Sequence, residues 1–334
     1  SLPSSVMANK NLGWERTSQL NLGIDFAFFK NRISGVLDIY KSKTKDLLMN
    51  MTVPSVSGYM STYANVGETS NKGVDLTLNT INIKMKDFQW STSLNVSWQK
   101  DKIKKLVTAS DDINNNWFIG EQIGVIYGYK AAGIWQKEDA EEMAKYNANG
   151  NKFKVGQIRI VDQPDENGKI DYKIDANHDR VIIGNTRPNW IFGMTNNFTY
   201  KNIDLSVFIY GRFGYKYNTG GEYLDGRYNV RKLNYYTETN TKSDYQRPEY
   251  TMGTGDSYYA SLGYKDGSFL KIRNISLGYT FPKSLIDRWN INNLKLYVQV
   301  MNPGTIFSKI DFLDMDTQTA SYNRGVTAGI NINF

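Results

Sequence analysis

Apolar and polar residues alternate with a period of two along much of this chain, in runs that read as β-strands rather than amphipathic helices. The closing run shows the pattern most plainly. Val326, Ala328, Ile330, Ile332 and Phe334 share one face, and Thr327, Gly329, Asn331 and Asn333 share the other. The polar face carries small uncharged groups instead of the lysines and glutamates of a solvated strand. A strand with lipid on one side and a wet lumen on the other reads this way.

The same alternation recurs upstream. From Thr17 to Phe29, Leu20, Leu22, Ile24, Phe26 and Phe28 share a face, and Lys30-Asn31 makes a tight turn. The return strand, Arg32 to Lys41, puts Ile33, Leu37 and Ile39 outward and runs on to Met49. A longer connection, Val53 to Gly67, precedes a strand from Asn71 to Asn79 with Val74, Leu76 and Leu78 on one face. After a short basic turn, Phe88 to Lys100 sets Phe88, Trp90, Thr92, Leu94, Val96 and Trp98 against Gln89, Ser91, Ser93, Asn95, Ser97 and Gln99.

Alternation lapses from Leu106 to Pro188, a span too long for a structureless loop in a compact domain, with a helix predicted from Lys137 to Tyr146. It resumes at Trp190, with Phe192, Met194, Phe198 and Tyr200 on the same face, and returns through Ile203, Leu205, Val207 and Ile209. After a polar stretch from Gly211 to about Gly267 come strands at Lys271–Phe281 and Leu294–Val300, then the closing run. The count is nine, and the connections run short, long, short, very long, short, long, medium, long.

This predicts an all-β fold, a transmembrane antiparallel β-barrel with short periplasmic turns and long extracellular loops. Nine is odd, and an open sheet edge in lipid is not viable. Residues 1–334 are therefore expected to be the carboxyl-terminal portion of a larger barrel, with Val326–Phe334 as its closing strand. Trp90 and Trp98 lie eight residues apart, about 20 Å of membrane height for a strand tilted near 40°. Together with Trp190 and Tyr200 they are expected to anchor the two membrane interfaces.

Composition agrees. Apolar residues make up 40% of the chain and mean hydropathy is -0.51, yet aromatics reach 13%, with 23 tyrosines. Such a balance suits a barrel with a wet lumen and aromatic girdles, and equally a soluble carbohydrate-binding β protein. No run of 18 apolar residues exists, which excludes a membrane-spanning helix and leaves barrels untouched. With no cysteine, disulfides and thiolate chemistry are excluded. The charge of +7 is spread along the chain without a basic cluster interleaved with aromatics, so nucleic acid is not an expected partner.

Several motifs then point one way. Phe29-Lys-Asn-Arg-Ile-Ser-Gly35, Lys43-Thr-Lys-Asp-Leu-Leu48, Pro54-Ser-Val-Ser-Gly-Tyr59 and Asn71-Lys-Gly-Val-Asp75 resemble segments of the SusC/RagA family of TonB-dependent outer-membrane transporters. So do Tyr127-Gly-Tyr-Lys130 with Gly133-Ile-Trp135, Asp179-Arg-Val-Ile-Ile-Gly184, Ser268 to Thr280, and the closing Gly329-Ile-Asn-Ile-Asn-Phe334. The matches run through nearly the whole chain in family order. The resemblance implies a 22-stranded barrel in the outer membrane of a Gram-negative bacterium of the Bacteroidota, of which these would be the last nine strands. It implies a SusD-like lipoprotein partner, energy from the TonB complex, and oligosaccharide cargo, with peptides carried by some members. An amino-terminal plug and a TonB box are also implied, and neither has a counterpart in these residues. The terminal Phe334 resembles the signal read by barrel-assembly machinery.

Candidate sites lie in the long connections. Trp117, Tyr127, Tyr129, Trp135, Tyr223 and Tyr228 could stack on sugar rings, or could pack within folded loops. Asp175, Asn177 and Asp179 occupy positions 1, 3 and 5 of an EF-like calcium loop, but Arg180 stands where the turn needs glycine; turn-capping side chains would read the same way. No convergent catalytic set is visible, so an enzyme is not expected. A passive porin or a surface adhesin would share the strands.

Overall fold

In the computed structural model, residues 5–107, 109–222, 224, 232–249, 255–320 and 323–334 are described. The chain divides into two compact units.

The first unit comprises Ser1–Ile123, Arg187–Tyr215 and Gly267–Phe334. It holds nine long strands: β1 (Arg16–Phe28), β2 (Ile33–Thr52), β3 (Ser61–Lys84), β4 (Phe88–Lys105), β5 (Trp190–Tyr200), β6 (Ile203–Phe213), β7 (Phe269–Thr280), β8 (Asn293–Ser308) and β9 (Gly325–Asn333). Each pairs antiparallel with its neighbours in sequence, from β1 at one edge to β9 at the other. A two-residue strand, Val6–Met7, adds in parallel to the start of β3. The β1–β2 turn is closed by Phe29, Lys30 and Asn31, all at positive φ, and Lys201 at φ 51 does the same between β5 and β6. That curl suits a tight connection between right-twisted strands.

The register fixes the faces. Leu22 pairs with Ile39 and Ile39 with Val74, and Val74 then meets Trp98 and Trp190, so the apolar positions of successive strands form continuous rows. On the other side Leu205, Leu277, Val298 and Ala328 form another. These rows are open to the surroundings: Leu20 is 77% exposed and Ile330 64%. Water does not favour such a surface, whereas lipid does.

Several strand boundaries differ from the sequence expectation. β2 and β3 continue past the membrane rows to Thr52 and back from Ser61, so much of the expected Val53–Gly67 connection is ladder. The alternation is broken there by a register shift between Thr44 and Leu47, with Asp46 at φ 58, and period-two reading fails across such a bulge. β8 likewise runs on to Ser308, its pairing with β7 interrupted at Leu270/Lys271 and Ile272/Asn274. β6 extends to Phe213.

The second unit, Gly124–Thr186 with Lys216–Asp266, joins two of the long excursions. Short antiparallel pairs, Val125–Tyr129 with Arg180–Asn185 and Ala131–Ile134 with Ile158–Ile160, frame it. The helix α1 (Ala140–Ala148) follows a 3-10 turn at Lys137–Asp139, close to the expected position, and faces the unit with Met143 and Tyr146. Its core gathers Trp135, Met143, Tyr146, Phe153, Ile158 and Ile160, with Tyr236 from the second excursion.

Candidate functional site

The outward face carries its aromatics in two groups along β4 and β5. Trp98 and Trp190 are direct cross-strand partners, with ring centroids 6.3 Å apart. Eight residues along both strands, Trp90 stacks on Phe198 at 5.6 Å. Tyr200 is half-exposed beyond that pair, with Lys201 over its ring. One outward position of β5 is polar, Asn196, opposite Thr92. Its Oδ1 accepts from Trp90 Nε1 at 3.1 Å and Thr92 Oγ1 at 2.8 Å, and Asn82 in turn donates to Thr92 at 2.7 Å. The cluster satisfies itself beside the girdle, as polar groups facing lipid must. Phe334 keeps the outward parity of β9 and is exposed.

The inward face is lined by hydroxyl and amide groups. Thr77 donates to Asn95 at 2.9 Å, Ser93 to Asn79 at 2.7 Å, and Ser97 to Asp75. Thr195, Asn197 and Thr199 continue this wall on β5, and Asn331 and Thr327 on β9. Tyr40 lies over Gly73 and Tyr297 over Gly329 in direct cross-strand pairs; a Cβ at either glycine would overlap the phenol.

The connection between β8 and β9 is tied to the inward wall by charge. Lys271 is 1% exposed and donates to both carboxylate oxygens of Asp314, at 3.0 and 2.9 Å. Arg273 grips Asp316 through Nε at 2.6 Å, and Arg212 donates to the Asp316 carbonyl at 2.7 Å. Burial opposes the charge on Asp316, but the Arg273 hydrogen bonds and the neighbouring cations hold its carboxyl below the usual range. Sequence reading missed this cluster. The signal available was a strand with cations at Lys271 and Arg273 and a loop with anions at Asp314 and Asp316.

In the second unit the aromatic candidates separate. Trp135 is a correction: at 1% exposure its ring is packed between Tyr146 and Phe153, with the Arg159 guanidinium over it, so it serves the core and offers no face to cargo. Tyr127 and Tyr129 lie two residues apart on one strand, half-buried. Arg180 covers Tyr127 at 4.6 Å, and Tyr258 meets Tyr129 edge-on at 5.0 Å. Burial raises the Tyr129 hydroxyl above its ordinary pKa, and pushes that of Tyr258 up to about 12. Trp117 belongs to the first unit, half-buried, its backbone bridged to Asp112. Tyr223 and Tyr228 lie outside the described residues. Asp256, unremarked in the sequence, accepts from the Ile158 and Tyr258 amides at 2.7 and 2.9 Å and so joins the two excursions; burial raises its pKa.

The EF-like residues are occupied by the backbone. Asp179, 0% exposed, accepts from the amides of Gln163 at 2.9 Å and Asp175 at 2.6 Å. Asp175 accepts from those of Asn177 and His178 at 2.9 and 3.1 Å. These are turn caps of the kind Asp and Asn make. Among the described residues, no group of three or more His, Cys, Asp or Glu side chains is placed to hold a metal ion.

Comparison with known proteins gives consistent matches. The family profile described as "TonB dependent receptor-like, beta-barrel" matches residues 2–302. TonB-dependent receptor P3 of Formosa agariphila is 33% identical over 324 residues, covering 88% of this chain and 30% of that protein. TonB-dependent receptor SusC of Bacteroides thetaiotaomicron is 28% identical over 351 residues, 98% of this chain and 32% of SusC. The solved structure of the RagAB peptide transporter matches with a TM-score of 0.77 at 25% identity, over 98% of this chain and 36% of that one. The chain thus spans about a third of the length of these relatives.

Proposed function

The chain belongs to the TonB dependent receptor-like β-barrel family, an outer-membrane barrel of the SusC/RagA type, and from that premise we propose that it walls an active importer of oligosaccharides. The observation that carries the cargo reading is the inward face. Its Ser, Thr and Asn side chains offer neutral hydrogen-bond donors and acceptors, such as the Thr77–Asn95 and Ser93–Asn79 pairs. Polyhydroxylated solutes exchange hydrogen bonds with these groups, and with carboxylates of the same face such as Asp75, which Ser97 already holds. Half-buried Tyr127, Tyr129 and Trp117 in the long connections are the first candidates to meet a sugar face. A SusD-like lipoprotein lids the long-connection side, and TonB supplies the energy through a plug carried by the rest of the receptor.

A second reading has its own support. The likeness to the RagAB peptide transporter favours peptide cargo.

Titrating the purified receptor, with its lipoprotein, against panels of oligosaccharides and of peptides tests the cargo. Saturable binding of oligosaccharides alone is expected, and binding of peptides alone overturns the first reading in favour of the second. Uptake in cells is expected to collapse with a protonophore; uptake that persists would mark a passive porin.

A further inference from the structure

Beyond the Trp98–Trp190 rung, toward the long connections, the outward face turns from apolar to basic. Lys41, Lys72 and Lys100 share the next outward rung across β2, β3 and β4. Lys43 and Lys102 flank Ser70 on the rung after that, and Lys104 is the extra residue of β4 where the register shifts opposite Glu68/Thr69. These six lysines line a recess of about 490 Å³ whose one carboxylate, Glu68, is paired with Lys43 at 2.6 Å. The Lys72 ammonium lies 5.6 Å from the Trp98 ring centre, so the basic patch begins at the girdle itself.

Like charges set directly opposite on neighbouring strands repel. Apart from Glu68, the acids of these strands lie elsewhere: Asp38, Asp75 and Asp101 stand at the opposite parity, on the inward face, and Asp46 at the β2 bulge is paired with Arg16. A solvated strand face would mix both signs. Here one sign is gathered on the lipid-facing parity at the height where the outer-leaflet headgroups begin. Strand spacing and rise make the platform roughly 10 Å by 13 Å, room for more than one phosphate. Lysines supply point charges that suit phosphate without fixing its orientation.

We propose that Lys41, Lys72, Lys100 and Lys102, with Lys43 and Lys104 beside them, bind the phosphates of an anionic glycolipid of the outer leaflet. The bound lipid neutralises the patch and fixes the height of the barrel on this side. Its acyl chains lie along the Ile39, Val74 and Trp98 row below.

The test uses the full-length receptor, purified in detergent and titrated with phosphorylated lipid A or with the same lipid after enzymatic removal of its phosphates. The phosphorylated lipid is expected to bind at least about tenfold more tightly, with the advantage falling as salt rises. The triple variant Lys72→Gln/Lys100→Gln/Lys102→Gln is expected to erase the difference. The matching Lys→Arg triple, and a control triple at Lys137, Lys152 and Lys154, are expected to keep it. Equal binding of the two lipids, or an unchanged preference in the Gln triple, overturns the proposal. Displacement of the lipid by millimolar inorganic phosphate would assign the patch to free anions and overturn the lipid reading as well.

Discussion

Trp98 on β4 and Trp190 on β5 face one another across the ladder, 6.3 Å between ring centres, eight residues from the stacked Trp90–Phe198 pair. The register between two strands separated by a long excursion therefore sets two aromatic levels at one spacing. Replacing Trp98 and Trp190 together by alanine is expected to destabilise the barrel by about 1 kcal/mol beyond the lost area. The readout is a lower temperature for the loss of fast, folded migration on gels. Trp14→Ala, at a fully exposed position outside the ladder, is expected to leave it unchanged.

The Lys271–Asp314 pair holds the β8–β9 connection from within. Removing one partner strands a buried charge, at a cost of about 3–5 kcal/mol. Asp314→Asn is therefore expected to open the connection to protease cleavage while Lys271→Met/Asp314→Leu restores much of the protection. Equal sensitivity in the single and double variants would count against a buried pair.

Trp135→Ala removes the largest ring of the second unit's core and is expected to cost about 3–5 kcal/mol there. Hydrogen exchange should rise across residues 131–174 while β1–β9 stay protected. Tyr127→Ala, at a half-buried strand position, is expected to spare that protection and to weaken cargo binding instead.

Acid should act on the two regions with opposite sign. Asp316 is held below its ordinary pKa, so its contribution is complete above the unfolded value near 4 and is lost as pH falls through the lower folded value. Asp256 is raised by burial, so its contribution is present below the unfolded value and lost as pH rises through the folded one. Melting of the second unit followed by fluorescence is expected to move upward on going from pH 7 to pH 4.5. Asp256→Asn should flatten that trend, and cleavage in residues 309–320 should appear only below about pH 4.

Much of the wall was legible because lipid and lumen impose period two, and nine strands with their short turns follow from that alone. What escaped it lay at bulges and across strands. β2 past Thr44 and β8 past Asn302 continue as ladder, but an extra residue flips the parity and ends the pattern. The lysine platform shows in sequence only as two separate alternating runs, Lys41–Lys45 and Lys100–Lys105, and it takes the register through β3 to set them side by side around Lys72. Trp135 reads both ways in sequence for another reason: an aromatic in a long connection looks free until the connection is found to have its own core. The Asp175–Asp179 turn gave the right residue types for a cation, yet the backbone amides claim those oxygens first.

A cysteine scan of β9 in outer membranes separates the lipid face of the wall from its water face. Single cysteines from Val326 to Asn333 would be probed with a water-soluble maleimide and with a lipid-confined quencher. Strict alternation is expected, with 327, 329, 331 and 333 reacting from water and 326, 328, 330 and 332 quenched from lipid. Uniform reaction from water along the strand would contradict it.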